Sequence, residues 1–166
     1  MEKNEVDFSL VSILPSSINL EKIDLLQNKL FLVGKEQKVV NTKKRLTDFF
    51  EGEPIIYREN GSGTRQTMES FIKSNNLPIS KKMQLTSNEA VKQALLAGMG
   101  YSFMPLIGLK NEINNKSLNI IKIKGTPIKT MWSLIWLKGK KHSPAAKAYL
   151  EYLEKNKEIV HLYQRR

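Results

Sequence analysis

Residues 54–105 constrain the fold more than any other stretch of the chain. They read as two strand–loop–helix units in direct succession, closed by a third strand. The first unit is the strand Pro54-Ile55-Ile56-Tyr57-Arg58-Glu59, the glycine-punctuated loop Asn60-Gly61-Ser62-Gly63-Thr64-Arg65, and a helix with Met68, Phe71 and Ile72 on one face. The second begins with strand Met83–Leu85, passes through Thr86-Ser87-Asn88-Glu89 and enters a helix carrying Ala90, Val91, Ala94 and Leu95. Thr86 and Glu89 have the spacing of a capping box, and Gly98 is placed to end the helix in the left-handed conformation. Strand Tyr101–Met104 then ends on Pro105. Such alternation implies a parallel α/β layer with right-handed crossovers. In open layers of this kind ligands sit beyond the carboxyl ends of the strands, where the strand order switches. The loops at 60–65, 86–89 and 104–106 all fall at such ends. Each helix opens on small hydroxyl residues, and its first amides lack internal partners at the positive end of the helix dipole, which suits an anion or small polar ligand.

The flanks supply further strands. Val6–Ser12 alternates Val6, Phe8 and Leu10 with Asp7 and Ser9, and Leu14-Pro15-Ser16-Ser17 breaks it. A polar connector leads to the apolar strand Lys29–Gly34, and a short helix is expected around Leu46–Phe50. After Pro105 a helical turn through Leu109–Ile113 precedes a strand at Leu118–Ile123. The run Lys129–Leu137 reads as a long strand whose apolar end suits cover on both faces. Ser143-Pro144 starts a last helix, with Ala145, Ala146, Tyr149, Leu150 and Leu153 in a stripe.

Composition narrows the function classes. At 166 residues the chain is one domain or two small lobes. The absence of cysteine excludes disulfides, thiol catalysis and zinc–thiolate sites. No apolar run is long enough to span a bilayer, and the acidic start at Met1–Asp7 is unlike a secretory signal, so a cytoplasmic location is expected. The net charge of +11 is spread over short clusters, Lys43-Lys44-Arg45, Lys81-Lys82, Lys138–Lys141 and Arg165-Arg166, without aromatic interleaving. It reads as a solvated surface, with attraction of an anionic ligand or of nearby DNA as the alternative.

Candidate site residues each have a plain structural reading beside the functional one. Ser62, Gly63 and Thr64 offer close backbone approach and hydroxyl donors, or simply a turn and a helix cap. Arg65 neutralises an anion or stands exposed in the first turn. Met104 lines a pocket or packs in the core. Asn88 is explained by helix capping. Trp132 and Trp136, four apart on one strand face, read as packing rather than base stacking. His142 and His161 lack carboxylate or cysteine company and read as surface residues, which leaves no metal site. No Gly-x-Ser-x-Gly elbow and no phosphate-binding Lys-Ser/Thr pair is present, so no catalytic residue is assigned and the chain is not expected to be an enzyme. No cofactor is expected.

Four stretches in series resemble the effector-binding domain of a LysR-type transcriptional regulator. They are Val6–Val11, Arg58–Arg65, Thr86–Lys92 and Leu96–Pro105, and the closing strand with its Ser143-Pro144 helix agrees. The resemblance implies an α/β, two-lobed type 2 periplasmic-binding-protein-like fold with parallel and mixed sheets. Subdomain I would comprise 1–34 and 118–166, and subdomain II 35–117. It implies a small effector, an anion or organic acid, held between the lobes by Ser12, Ser62, Gly63, Thr64, Met104 and Pro105. It further implies that the chain is truncated at its N-terminus. The first lobe would be incomplete, and DNA would be bound only through an absent winged helix-turn-helix domain. Self-association, as a dimer or by strand exchange, is expected to cover the exposed edge. The implied function is effector sensing for a bacterial transcription factor, with no membrane partner. The alternative is a solute-binding protein for transport.

Overall fold

The structure, a computed structural model, describes residues 6–16, 18–79 and 82–156. The first elements are β1 (Ser9–Val11), β2 (Leu20–Gly34), α1 (Lys43–Gly52), β3 (Ile55–Arg58), α2 (Gly63–Ser74) and β4 (Lys82–Leu85). There follow α3 (Asn88–Leu96), β5 (Tyr101–Pro105), a 3-10 turn at Leu106–Gly108, α4 (Lys110–Asn114), β6 (Asn119–Ile121), β7 (Ile128–Leu137) and α5 (Pro144–Lys155). The chain divides into two compact units, Met1–Asn28 with Thr130–Arg166, and Lys29–Lys129.

Period-two alternation explains how the second unit packs on both sides of its sheet. Ile55 and Tyr57 of β3 join one core with Leu30, Leu32, Tyr101, Phe103 and Ile121. Ile56 turns to the other core with Val33, Met104 and Ile120. α1 and α2 cover the first core through Leu46, Phe49, Phe50, Met68, Phe71 and Ile72. α3 and α4 cover the second through Val91, Ala94, Leu95 and Ile113. Phe50, Phe103, Ile55, Ile56 and Leu95 are fully enclosed. Each such side chain contributes on the order of 1.5–3 kcal/mol of hydrophobic stabilisation.

Strand order in this unit runs β2-β5-β3-β4, with β6 on the free side of β2. β3 is parallel to β4 and to β5, while β2 is antiparallel to both β5 and β6, so β6 runs parallel to β5. The connection leaving β3 goes through α2 to β4. The connection leaving β5 goes the opposite way, through α4 to β6. The direction of winding therefore reverses between β3 and β5, and their carboxyl ends, Arg58 and Pro105, flank the switch point. A hydrogen bond from the Ser102 hydroxyl to the Ile56 carbonyl, 2.6 Å and buried, ties these two strands together.

The first unit is built on β7, which pairs antiparallel with β1 in the register Leu10 to Leu134. On its other side β7 neighbours β2. Leu134, Ile135, Trp136, Ala146 and Leu153 are buried here, and the Phe8 ring stands edge-on to Trp136 at 5.8 Å. Ser143 caps α5 by accepting from the Ala146 amide at 3.2 Å, with Pro144 in the first turn.

Three local expectations change. β2 is a single strand of 15 residues, not a polar connector followed by a short strand. Its polar half is held side chain to side chain. Trp136 Nε1 donates to Glu21 at 2.7 Å, the Ser133 hydroxyl to Asp24 at 2.6 Å, and Asn28 Nδ2 to Thr130 at 3.2 Å. The Ser133 hydroxyl, with Lys22 adding, holds the Asp24 carboxyl below its ordinary range. The cap of α3 is Ser87, not Thr86, because the Ser87 hydroxyl accepts from the Ala90 amide at 3.0 Å. His142 is half-buried against Phe8 and Trp136, at 5.1 and 5.7 Å, rather than on open surface. At the far end of α3, Gly98 takes φ +76, and the Met99 amide reaches back to the Ala94 carbonyl at 3.0 Å, as its sequence position predicts. The tail positions His161, Arg165 and Arg166, and Lys81, lie outside the described residues.

Candidate functional site

The carboxyl edge of β3, β4 and β5 gathers three of the sequence-predicted loops. β3 ends at Arg58, and Glu59-Asn60-Gly61 turns the chain into α2. The turn is closed by the Ser62 amide donating to the Glu59 carbonyl at 3.3 Å. The first bond of the α2 ladder joins the Gln66 amide to the Ser62 carbonyl at 3.0 Å. The amides of Gly63, Thr64 and Arg65 are left at the open end. In α1, α3 and α5 a Thr or Ser side chain accepts one such amide, but Ser62 makes no side-chain cap bond. Among the described residues neither the Ser62 nor the Thr64 hydroxyl has a hydrogen-bond partner, and both residues are half-buried. Three amides and two hydroxyls thus stand unpaired at the switch point, under the positive end of a helix of 12 residues.

The two nearby guanidinium groups are committed elsewhere. Arg58 makes a paired contact to Glu59, 2.7 Å to each carboxylate oxygen, and also donates to the Asn88 side chain. The Arg58 hydrogen bonds hold the Glu59 carboxyl below its ordinary value. Arg65 turns back from the helix start. It donates to Glu69 at 2.8 Å, to Gln84 at 2.7 Å and to the Arg58 carbonyl at 3.0 Å. Arg65 therefore fastens α2 to β3 and β4, and Arg58 ties the end of β3 to the start of α3 through Asn88. Neither role is visible in sequence, because the partners Asn88 and Gln84 lie 30 and 19 residues away.

The remaining candidates are placed as follows. Met104 is 2% exposed, within the core beneath α3, and Pro105 is buried at the end of β5, where it opens the 3-10 turn. Ser12 belongs to the other unit, half-buried just beyond β1. Among the described residues no group of three or more His, Asp or Glu side chains is arranged to hold a metal ion, and no helix is long and apolar enough to cross a membrane.

Comparison with known proteins identifies the family and the fold. Residues 1–157 match the family model described as LysR substrate binding domain. The transcriptional activator CmpR of Synechocystis sp. is 35% identical over 151 residues, covering 90% of this chain and 50% of the activator. A RuBisCO operon transcriptional regulator of Allochromatium vinosum is 32% identical over 154 residues, covering 92% of this chain and 51% of its own length. The chain thus spans about half the length of these curated relatives. Among solved structures, the Synechocystis PCC6803 CcmR regulatory domain in complex with 2-PG aligns with a TM-score of 0.79 and 31% identity, covering 92% of this chain and 74% of that one. The effector-binding domain of QuiR in complex with shikimate aligns with a TM-score of 0.73 at 20% identity over 93% of this chain and 75% of that one, a likeness of fold.

Proposed function

The chain belongs to the LysR substrate binding domain family, and we propose that it senses a small anionic metabolite through the open end of α2 on behalf of a bacterial transcription regulator. The observation that carries this reading is the set of unpaired amides of Gly63, Thr64 and Arg65, with the Ser62 and Thr64 hydroxyls, at the point where the winding of the sheet reverses. Neutral donors preorganised by secondary structure hold an anion without first breaking an ion pair. The CcmR relative was solved with 2-PG, a small phosphorylated carboxylate, which supports that ligand class. Met104 and Pro105 would shape the wall beside the donors, and Ser12 enters the reading through the family resemblance alone.

In the complete regulator the ligand would act by its difference in affinity between conformational states, altering how DNA-binding parts are presented. DNA contact, self-association and a cytoplasmic location belong to this proposal. Exposed Leu10, Ile13, Leu14 and Met131 in the first unit favour self-association. The relatives described above are named as transcription regulators, which favours sensing over transport and weighs against an enzyme.

A thermal-shift panel of inorganic phosphate, sulfate, small carboxylates and small phosphorylated carboxylates tests the reading. A ligand at about a hundred times its Kd adds roughly 2.7 kcal/mol, which raises the melting point by about 5–10 °C for a domain of this size. Thr64→Val should then weaken binding by about 1 kcal/mol or more through one lost hydrogen bond. A panel that leaves the melting point unmoved, or a ligand indifferent to Thr64→Val, counts against it.

A further inference from the structure

A cavity lies in the same unit, away from the start of α2. Its volume is about 430 Å³, and it is lined by Tyr57, Glu69, Ile72, Lys73, Leu77, Ile79 and Lys82. Ile72 and Lys73 stand in the last turn of α2, so on helix geometry this cavity opens roughly 13 Å along the helix from Gly63. Its size falls in the range of small-molecule sites.

Tyr57 is the informative residue. It is 4% exposed, yet its hydroxyl has no hydrogen-bond partner among the described residues. With the ring buried, the hydroxyl is the accessible end of the side chain, unpaired within the protein at the cavity it lines. Burial, with the Glu69 charge adding and Arg65 opposing, pushes the phenol above its ordinary value, so at neutral pH it is a donor. The charges around it are unequal. Glu69 is already paired with Arg65 at 2.8 Å. Lys82 stands 5.4 Å from the centre of the Tyr57 ring, and neither Lys73 nor Lys82 has a carboxylate partner among the described residues. Ile72, Leu77 and Ile79 give the cavity an apolar wall. One donor at the cavity wall, two uncommitted ammonium groups and an apolar wall fit a ligand with a charged head and an apolar body.

We propose that this cavity is a second binding site, taking a small carboxylate with an apolar body. The carboxylate accepts from Tyr57 and neutralises Lys73 and Lys82, while the body lies on Ile72, Leu77 and Ile79. This ligand class differs from that proposed at α2, where the donors are amides and no apolar wall of this kind is required, so the two sites fail or succeed separately.

The experiment titrates the full chain with cyclohexanecarboxylate, and with cyclohexylmethanol as an uncharged analogue, by calorimetry and amide spectra. The expected result is saturable binding of the carboxylate, with shifts at residues 69–73 and 77–79, and much weaker binding of the alcohol. Tyr57→Phe keeps the ring in the core and should raise Kd about tenfold, the scale of one hydrogen bond to a charged acceptor. Lys82→Gln, on the exposed rim, should weaken binding in the same direction, whereas Thr64→Val should leave it unchanged. Absence of saturable binding, equal affinity for the alcohol, or sensitivity to Thr64→Val instead of Tyr57→Phe and Lys82→Gln overturns the proposal.

Discussion

Gly100→Ala is expected to be among the most damaging single-methyl changes in the second unit. Gly100 sits at φ +152, a conformation that L side chains rarely adopt. A Cβ built there would lie 2.4 Å from the Pro54 carbonyl oxygen and 3.1 Å from both its carbon and the Pro54 Cβ. The obstacle is backbone, so no rotamer change relieves it. That same carbonyl accepts from the Tyr101 amide at 2.9 Å, the bond that starts the pairing of β5 with β3. The strained dihedral costs on the order of 1–3 kcal/mol. Moving the carbonyl away weakens a bond worth about 1 kcal/mol. The sum is about 3 kcal/mol, or a drop of about 6–12 °C in melting point at 2–4 °C per kcal/mol. Gly61→Ala is the control, because Gly61 has φ +87 but nothing within 4 Å of a built Cβ. It should show the dihedral cost alone. The assay is thermal and urea unfolding of both variants beside the parent. A Gly100→Ala melting point within about 2 °C of the parent, or equal losses in the two variants, refutes the reasoning that places the Pro54 carbonyl against Gly100.

Two further predictions concern the phenol beside that contact and the helix caps. Burial, and then the Glu53 charge, raise the Tyr101 phenol to about 12. A raised phenol stabilises the fold below its ordinary value of 10.0 and loses that contribution as pH climbs from there through about 12. Spectrophotometric titration should therefore show one of the 5 tyrosines ionising last, near unfolding, and Tyr101→Phe should remove that step. Ser87→Ala should cost about 1 kcal/mol by exposing the Ala90 amide, whereas Ser62→Ala should cost little stability because Ser62 caps nothing. Equal losses in denaturant unfolding would contradict the assignment of the caps.

The parallel core was legible because its signals are local. β3, β4 and β5 are short apolar runs, each followed or preceded by a helix with its own start and stop residues. Their order in sequence then forces crossovers of one hand. The first half of β2 was not legible, because Glu21, Lys22 and Asp24 make Leu20–Asn28 resemble a connector. Glu21 and Asp24 are satisfied by Trp136 and Ser133, 115 and 109 residues away. Long-range pairing of this kind leaves no periodic mark. The same limit applies to His142, whose neighbours Phe8 and Trp136 come from β7 and from the segment before β1. At the site, the hydroxyl-and-glycine loop marked the start of α2, which the structure places at Gly63. Arg65 was ambiguous because its carboxylate partner Glu69 is local, while its anchors on β3 and β4 are not. Tyr57 read only as a core strand residue, since nothing in sequence marks a buried ring whose hydroxyl reaches a cavity.

The claim at the centre of this account is that the amides opening α2 receive the ligand. The direct test follows backbone amide resonances of the isotopically labelled chain during titration with inorganic phosphate. Gly63, Thr64 and Arg65 should shift earliest and together, along one saturating curve. Saturating shifts that spare these three amides, or none at all, would contradict it.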